Sequence, residues 1–71
     1  MPSRVEIVAR LFDARELMQK AALKLDAAEI LMSANGCRMD EDERVLKMRG
    51  MREDIKKTVE DLRALIERFY Q

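Results

Sequence analysis

A single interruption divides an otherwise continuous helical pattern. Nothing in the sequence disfavours a helix between residues 4 and 35, and the same holds for residues 40–70 apart from Gly50. The stretch between them contains "NGC", and Gly36 suits the left-handed residue that ends many helices because it lacks a Cβ. The sequence predicts one all-α domain over residues 1–71, with helix 1 at about 4–35, a turn at about 36–39 and helix 2 at about 40–70.

Both predicted helices begin with a residue that can cap them. Ser3 can accept a hydrogen bond from a backbone N–H of the first turn, and Glu6 follows at the capping-box spacing. For helix 2 the expected N-cap is Asp40, with Glu43 three residues later. The acidic run "DEDE" also opposes the positive end of the helix dipole. Two helices of equal length joined by a short turn predict an antiparallel hairpin.

Apolar residues recur every seven positions in both predicted helices, as in coiled coils. On helix 1 one row contains Leu11, Met18, Leu25 and Met32, and a second contains Ile7, Ala14, Ala21 and Ala28. On helix 2 the rows are Met48, Ile55, Leu62 and Phe69, and Met51, Thr58 and Leu65. Folding the chain about residue 38 sets small residues of helix 1 against large residues of helix 2, which fills a core without voids. We therefore expect these four rows to form the seam between the helices.

Helix 1 carries more apolar side chains than one seam can bury. The residues that extend beyond the seam, and that we expect at a protein interface, are Val5, Val8, Phe12, Leu23, Ala27, Ile30 and Leu31. A helix that is apolar around most of its circumference is normally buried on more than one side. The expected partner is a second copy, which gives a homodimeric four-helix bundle, or a helical segment of another protein.

Residues for catalysis or metal binding are scarce. The sequence has no histidine and one cysteine, Cys37, so we expect no internal disulfide, no zinc site and no other cofactor. Neither the serines nor Thr58 has a base at a recognisable spacing, so we expect no enzymatic activity. Cys37 is interpreted as an incidental thiol, with a redox role as the alternative. The "DEDE" run lacks the spacing of a calcium loop, so capping is preferred to a cation site.

The charge balance disfavours a strongly basic nucleic-acid binder, because 14 Lys and Arg residues equal 14 Asp and Glu residues. Helix 2 nevertheless carries a basic row, Arg49, Lys56 and Arg63, beside an acidic row, Glu53, Glu60 and Glu67. Salt bridges on a solvated face are the preferred interpretation, and phosphate contact is the alternative. No apolar run is long enough for a membrane span. An unpaired thiol and an N-terminus unlike a secretion signal suggest the cytoplasm.

In length, in its two equal helices and in its short turn, the chain resembles the Rop-type hairpins, which bind RNA and dimerise into four-helix bundles. It is also similar in outline to the small co-chaperones of type III secretion. Neither likeness includes a residue motif, and fold alone does not fix function. We favour a protein-binding adaptor or chaperone that uses helix 1. The alternative is a Rop-like dimeric regulator that binds RNA or DNA through Arg49, Lys56 and Arg63.

Overall fold

The computed structural model describes residues 3–71 and contains two long helices packed against each other. α1 spans Arg4–Ala34 and α2 spans Glu43–Arg68. No strand is present between residues 3 and 71. The hairpin measures 52 × 15 × 15 Å. The predicted helical hairpin is confirmed, while Met1 and Pro2 lie outside the described residues.

Acceptor side chains cap both helices, and one of the two caps differs from the prediction. Ser3 Oγ accepts a hydrogen bond from the Glu6 N–H at 3.2 Å, as predicted. Asp42, not Asp40, is the N-cap of α2, two residues later than expected, and the helix begins at Glu43 instead of about residue 40. Asp42 Oδ1 accepts bonds from the Arg44 N–H at 2.9 Å and from the Arg44 guanidinium at 3.1 Å. The Arg44 side chain and N–H together lower the pKa of Asp42 to about 2.

α1 ends at the predicted glycine. Gly36 has a φ of 84°, in the left-handed region that favours a residue without a Cβ. Its N–H donates to the Ser33 carbonyl, and the Cys37 N–H donates to the Met32 carbonyl. These two bonds make a Schellman motif and satisfy carbonyls that the helix end would otherwise leave free.

The link between the helices, residues 35–42, is longer than the predicted turn. The N–H groups of Glu41 and Asp42 both donate to the Arg38 carbonyl, at 3.0 and 2.8 Å. Asp40 lies inside this hydrogen-bonded turn, and its carboxylate is 3.6 Å from the Arg49 guanidinium. Because Asp40 is taken up by the turn, the next aspartate in the acidic run becomes the cap.

On each helix, one of the two predicted rows of the seam is replaced by the row one residue later in the sequence. The rows that begin with Leu11 and Met48 are half-buried along the seam, as predicted. The residues that complete the seam are Val8, Arg15, Ala22 and Glu29 on α1, and Val45, Arg52, Val59 and Ile66 on α2. The predicted second rows lie beside the seam instead, and Ile7, Ala21, Met51 and Leu65 are exposed.

The displaced seam buries branched side chains that the predicted seam would have left in water. Val8, Val45 and Ile66 are the buried apolar side chains of residues 3–71, with exposed fractions of 6%, 0% and 4%. Each removes more apolar area from water than the alanines of the predicted row. Glu29 and Arg52 enter the seam together, because each neutralises the other.

Ion pairs across the hairpin show where the chain folds back. Asp26 hydrogen bonds with Arg52, and Glu29 lies 3.9 Å from Arg49. The midpoint of each pair in the sequence is residue 39, which is one residue beyond the predicted centre of the hairpin at residue 38. The one-residue change in centre accompanies the one-residue displacement of the seam.

Candidate protein-interaction faces

Two sets of side chains flank the seam and define two open faces of the hairpin. Residues seven apart share one side of a helix in a coiled coil, so the rows next to the seam can be read directly from the sequence. The apolar face consists of Ile7, Ala14, Ala21 and Ala28 on α1 and Met51, Thr58 and Leu65 on α2. The charged face consists of Val5, Phe12, Gln19, Asp26 and Ser33 on α1 and Arg49, Lys56, Arg63 and Tyr70 on or after α2.

The apolar face has no charged side chain among its seven residues. Met51 is 54% exposed and Leu65 41% exposed, so both leave apolar surface in water. Thr58 is the polar member, and its hydroxyl donates to the Asp54 carbonyl of its own helix at 3.0 Å. At the turn end the row continues to Arg44, whose guanidinium is held by Asp42 at 2.8 Å.

The outer rim of the apolar face mixes leucines with charges. The rim residues on α1 are Arg10, Leu17, Lys24 and Leu31, and those on α2 are Lys47, Asp54, Asp61 and Arg68. Leu17 and Leu31 are 67% and 65% exposed and extend the apolar surface outward along α1. Together the face and its rim expose five large apolar side chains, Ile7, Leu17, Leu31, Met51 and Leu65.

Charged side chains at the edge of the charged face neutralise one another. Among residues 3–71, Glu29 is the one charged residue that is buried. Its Oε2 lies 3.1 Å from Arg52 Nη1, and Arg52 also hydrogen bonds with Asp26. Its Oε1 lies 3.9 Å from Arg49 Nε and accepts no hydrogen bond from the described residues. Burial lowers the pKa of Arg52, but Asp26 and Glu29 offset this effect and leave it above its usual value.

Each residue of the predicted basic row has an acidic neighbour. Arg49 lies 3.9 Å from Glu29 and 3.6 Å from Asp40. The other two pairs run along α2: Lys56 with Glu53 and Arg63 with Glu67, both at 3.6 Å. The predicted salt bridges on a solvated face are therefore present at Lys56 and Arg63, whereas Arg49 pairs with the buried Glu29 of α1. A phosphate group would have to compete with these carboxylates.

The seven predicted interface residues do not form one surface. Val8 was expected outside the seam, but it is buried within it because α2 covers that side of α1. Val5 and Phe12 line a shallow depression with Tyr70 at the open end of the hairpin. The Arg15 guanidinium lies 5.4 Å from the centre of the Phe12 ring, as in a cation–π contact.

The remaining predicted interface residues lie on three different sides of α1. Leu23 lines a groove with Ile55 and Val59, and Ile30 lines another with Met39. Leu31 belongs to the rim of the apolar face, and Ala27 is exposed on the side directed away from α2. Sequence reasoning missed the contribution of Met51 and Leu65, because it placed their row inside the seam.

Comparisons of the chain with protein-family models, with curated proteins and with solved structures found no match. Neither helix in residues 3–71 has an apolar stretch long enough to cross a bilayer. The same residues contain no group of three His, Cys, Asp or Glu side chains placed to hold a metal ion. The two open faces are the features from which we infer a function.

Proposed function

We propose that this chain is a non-enzymatic protein–protein interaction module, a small helical-hairpin adaptor or chaperone. It binds a helical partner, or itself, through exposed apolar side chains. The observation that carries the proposal is the apolar face, in which both helices present apolar residues with no charge among them. Faces of this kind mark interaction sites, because monomeric proteins rarely leave extended apolar surface in water.

The total surface of the hairpin supports a missing partner. The chain exposes 5789 Å², whereas a compact monomer of its mass, 8.3 kDa, exposes about 4,600 Å². The difference of about 1,200 Å² exceeds the roughly 800 Å² that each partner contributes to a standard interface. Covering the apolar face would bring the exposed area close to that of an ordinary folded protein.

The small core of the isolated hairpin supports the same proposal. In residues 3–71 the buried apolar side chains are limited to Val8, Val45 and Ile66. A single core in a chain of this length supplies only about 3–5 kcal/mol. Burying a side chain such as Leu65 or Met51 fully contributes about 1.5–3 kcal/mol, so a partner on the apolar face would raise stability substantially.

The alternative, a dimeric regulator that binds RNA or DNA through Arg49, Lys56 and Arg63, has less support. All three side chains have a carboxylate within 4 Å. Neighbouring acids repel phosphate and reduce the number of counterions that binding releases. A binding curve for RNA that weakens steeply with salt would nevertheless favour this alternative.

Two double variants separate the two functions. Met51→Ser with Leu65→Ser removes apolar area from the apolar face and should weaken protein association by about tenfold or more. Lys56→Gln with Arg63→Gln removes two charges from the charged face and should leave association unchanged. Sedimentation equilibrium and capture of host proteins by the immobilised chain measure association, and circular dichroism checks that both variants keep their helices. The opposite result, with association lost only in the second variant, would contradict the proposal.

A third variant tests the residues that the sequence singled out on α1. Phe12 and Ile30 are exposed but lie away from the apolar face. Phe12→Ser with Ile30→Ser should therefore weaken association less than Met51→Ser with Leu65→Ser. Equal or greater loss in the Phe12 and Ile30 variant would place the interface on the other side of α1.

A further inference from the structure

We propose that a second copy of this chain covers the apolar face, with both turns at the same end of the resulting four-helix bundle. In this arrangement α1 of each copy packs on α2 of the other. The inference rests on the proposed function and specifies its partner and geometry. It follows from the size of the face, the positions of its side chains along the hairpin and the charges along its rim.

The size of the face matches what a stable dimer needs. A side of the hairpin measures 52 × 15 Å, which is about 800 Å². Standard interfaces bury about 800 Å² on each partner. A second hairpin has the same dimensions, so it covers the face from end to end, whereas a short peptide would leave part of it in water.

The positions of the side chains along the hairpin favour packing of α1 of one copy on α2 of the other. The α1 row of the apolar face contains three alanines, and the α2 row contains Met51 and Leu65. Measured from the centre of the hairpin at residue 39, Ala28 and Met51 are level to within one residue, and so are Ala14 and Leu65. When both turns lie at the same end, these levels coincide between copies, so Ala28 and Ala14 of one copy meet Met51 and Leu65 of the other, while Ala21 meets Thr58. Small residues against large ones fill a core without voids.

The opposite arrangement packs less well. If the turns lie at opposite ends, a two-fold axis places α1 on α1 and α2 on α2. The alanine row of one copy then faces the alanine row of the other, which leaves space between the helices. On the second helix pair, Met51 faces Leu65, which holds the helices apart. One interface cannot satisfy both spacings at once without strain.

Rim charges favour the same-end arrangement as well. Lys24 and Asp54 are each 15 residues from residue 39, so Lys24 of one copy lies level with Asp54 of the other. In the opposite-end arrangement, Asp54 lies level with Asp61 of the other copy, and Lys47 with Arg68, so like charges meet. The same-end arrangement has one like pair, Arg10 with Arg68 at the open end, where Asp13 lies 3.9 Å from Arg10.

The single cysteine makes the arrangement measurable. Cys37 lies in the link, at one end of the hairpin, and a nitroxide label on it reports the distance between the turns of two copies. Helix axes in bundles are 8–10 Å apart, so same-end turns should give a label distance below about 30 Å. A distance near the 52 Å length of the hairpin would overturn the arrangement. A sedimentation mass of 8.3 kDa, instead of twice that value, would overturn the proposal that a second copy covers the apolar face.

A matched pair of alanine variants identifies the face. Ala21 lies in the middle of the apolar face and Ala27 on the side directed away from α2, and both are exposed in the hairpin. Ala21→Glu should raise the dissociation constant of the dimer by about 100-fold or more, because a charge would be buried in the contact. Ala27→Glu should change it by less than about threefold. A dimer that dissociates only in the Ala27→Glu variant would overturn the proposal.

The outcomes also separate this inference from the proposed function. The protein could sediment as a monomer while Met51→Ser with Leu65→Ser still abolishes capture of another protein. In that case the second copy is wrong and the interaction module stands. If the protein is a monomer and the apolar-face variants capture partners as well as the unmodified chain does, both proposals fail.

Discussion

Where the charged face borders the seam, Asp26 and Glu29 of α1 meet Arg49 and Arg52 of α2 within the hairpin itself. On the apolar face, exposed side chains of both helices lie beside the same seam with nothing over them in the single chain. The two faces have the same length and the same periodicity, but within residues 3–71 ion pairs between the helices lie only beside the charged face, whose Val5, Phe12 and Tyr70 remain exposed. The comparison indicates that charge pairing within the chain sets how the helices align, and it leaves the apolar face as the surface that we propose for association.

The largest effect is expected where the charged face enters the seam. Glu29→Ala removes the carboxylate that lies between Arg49 and Arg52, and it leaves Arg52 with Asp26 alone. We expect the free energy of unfolding to fall by about 2–3 kcal/mol, measured by urea denaturation. Glu60→Gln, an exposed change on α2, is the control and should stay within about 0.5 kcal/mol. Equal results for both variants would mean that the cluster does not align the helices.

Two adjacent alanines provide the next test, because one lies in the seam and the other on the apolar face. Ala22 is half-buried between the helices, so Ala22→Leu should overpack the seam and cost about 1–3 kcal/mol at any protein concentration. Ala21 is exposed, so Ala21→Leu should leave the hairpin unchanged and affect only the concentration-dependent part of stability. Thermal denaturation over a range of protein concentrations separates the two contributions. Reversed results would restore the seam that the sequence predicted.

A smaller effect is expected from the outer part of the charged face. The Lys56 and Arg63 side chains are 63% and 64% exposed, and each pairs with an acid one turn away on the same helix. Lys56→Gln and Arg63→Gln should each change the free energy of unfolding by about 0.5 kcal/mol or less. High salt should reduce even this difference. A loss greater than that of Glu29→Ala would mean that the outer charges matter more than the buried cluster.

The smallest effect is expected at Asp42, which lies in the link and touches neither face. Hydrogen bonds from Arg44 hold its pKa at about 2, below the ordinary value of 3.8. In the unfolded chain Asp42 takes up its proton at the higher pH, so its contribution to stability is present above about pH 4 and is lost as the pH falls toward 2. The difference in Tm between the unmodified chain and Asp42→Asn should therefore shrink across this range. A difference that is constant from pH 7 to pH 2 would contradict the role of the charge.

Signals confined to a few neighbouring residues predicted the ends of α1 and the existence of the hairpin. Ser3 and Gly36 act through bonds within four or five residues of themselves, so the sequence around them is sufficient. The N-cap of α2 was misplaced because Asp40 and Asp42 are chemically equivalent in sequence. The choice between them depends on the turn at Arg38 and on Arg44, whose side chain folds back onto Asp42.

The candidate face was predicted in part. Periodicity identified the rows of Leu11 and Met48, but it could not distinguish two adjacent rows that both fit a seam. The alanine row satisfied the rule of small against large, whereas the structure buries Val8 and Ile66 and pairs Glu29 with Arg52. That pair joins residues distant in sequence, so no local pattern contains it. The surplus of apolar residues on α1 correctly indicated unburied surface but not its position.

The hydroxyl of Thr58 has a consequence for which helices the apolar face can accept. Its proton is committed to the Asp54 carbonyl, so an approaching helix meets the threonine methyl and the alanine methyls around it. The hydroxyl therefore donates to no partner at this point, and a competing helix is not excluded for lacking an acceptor there. Discrimination between partner helices must then come from steric fit. A side chain too large opposite Ala21 cannot enter, and one too small leaves a void. Such a surface selects its partners by the shape of their side chains at the contact, and it tolerates many sequences that give the same shape.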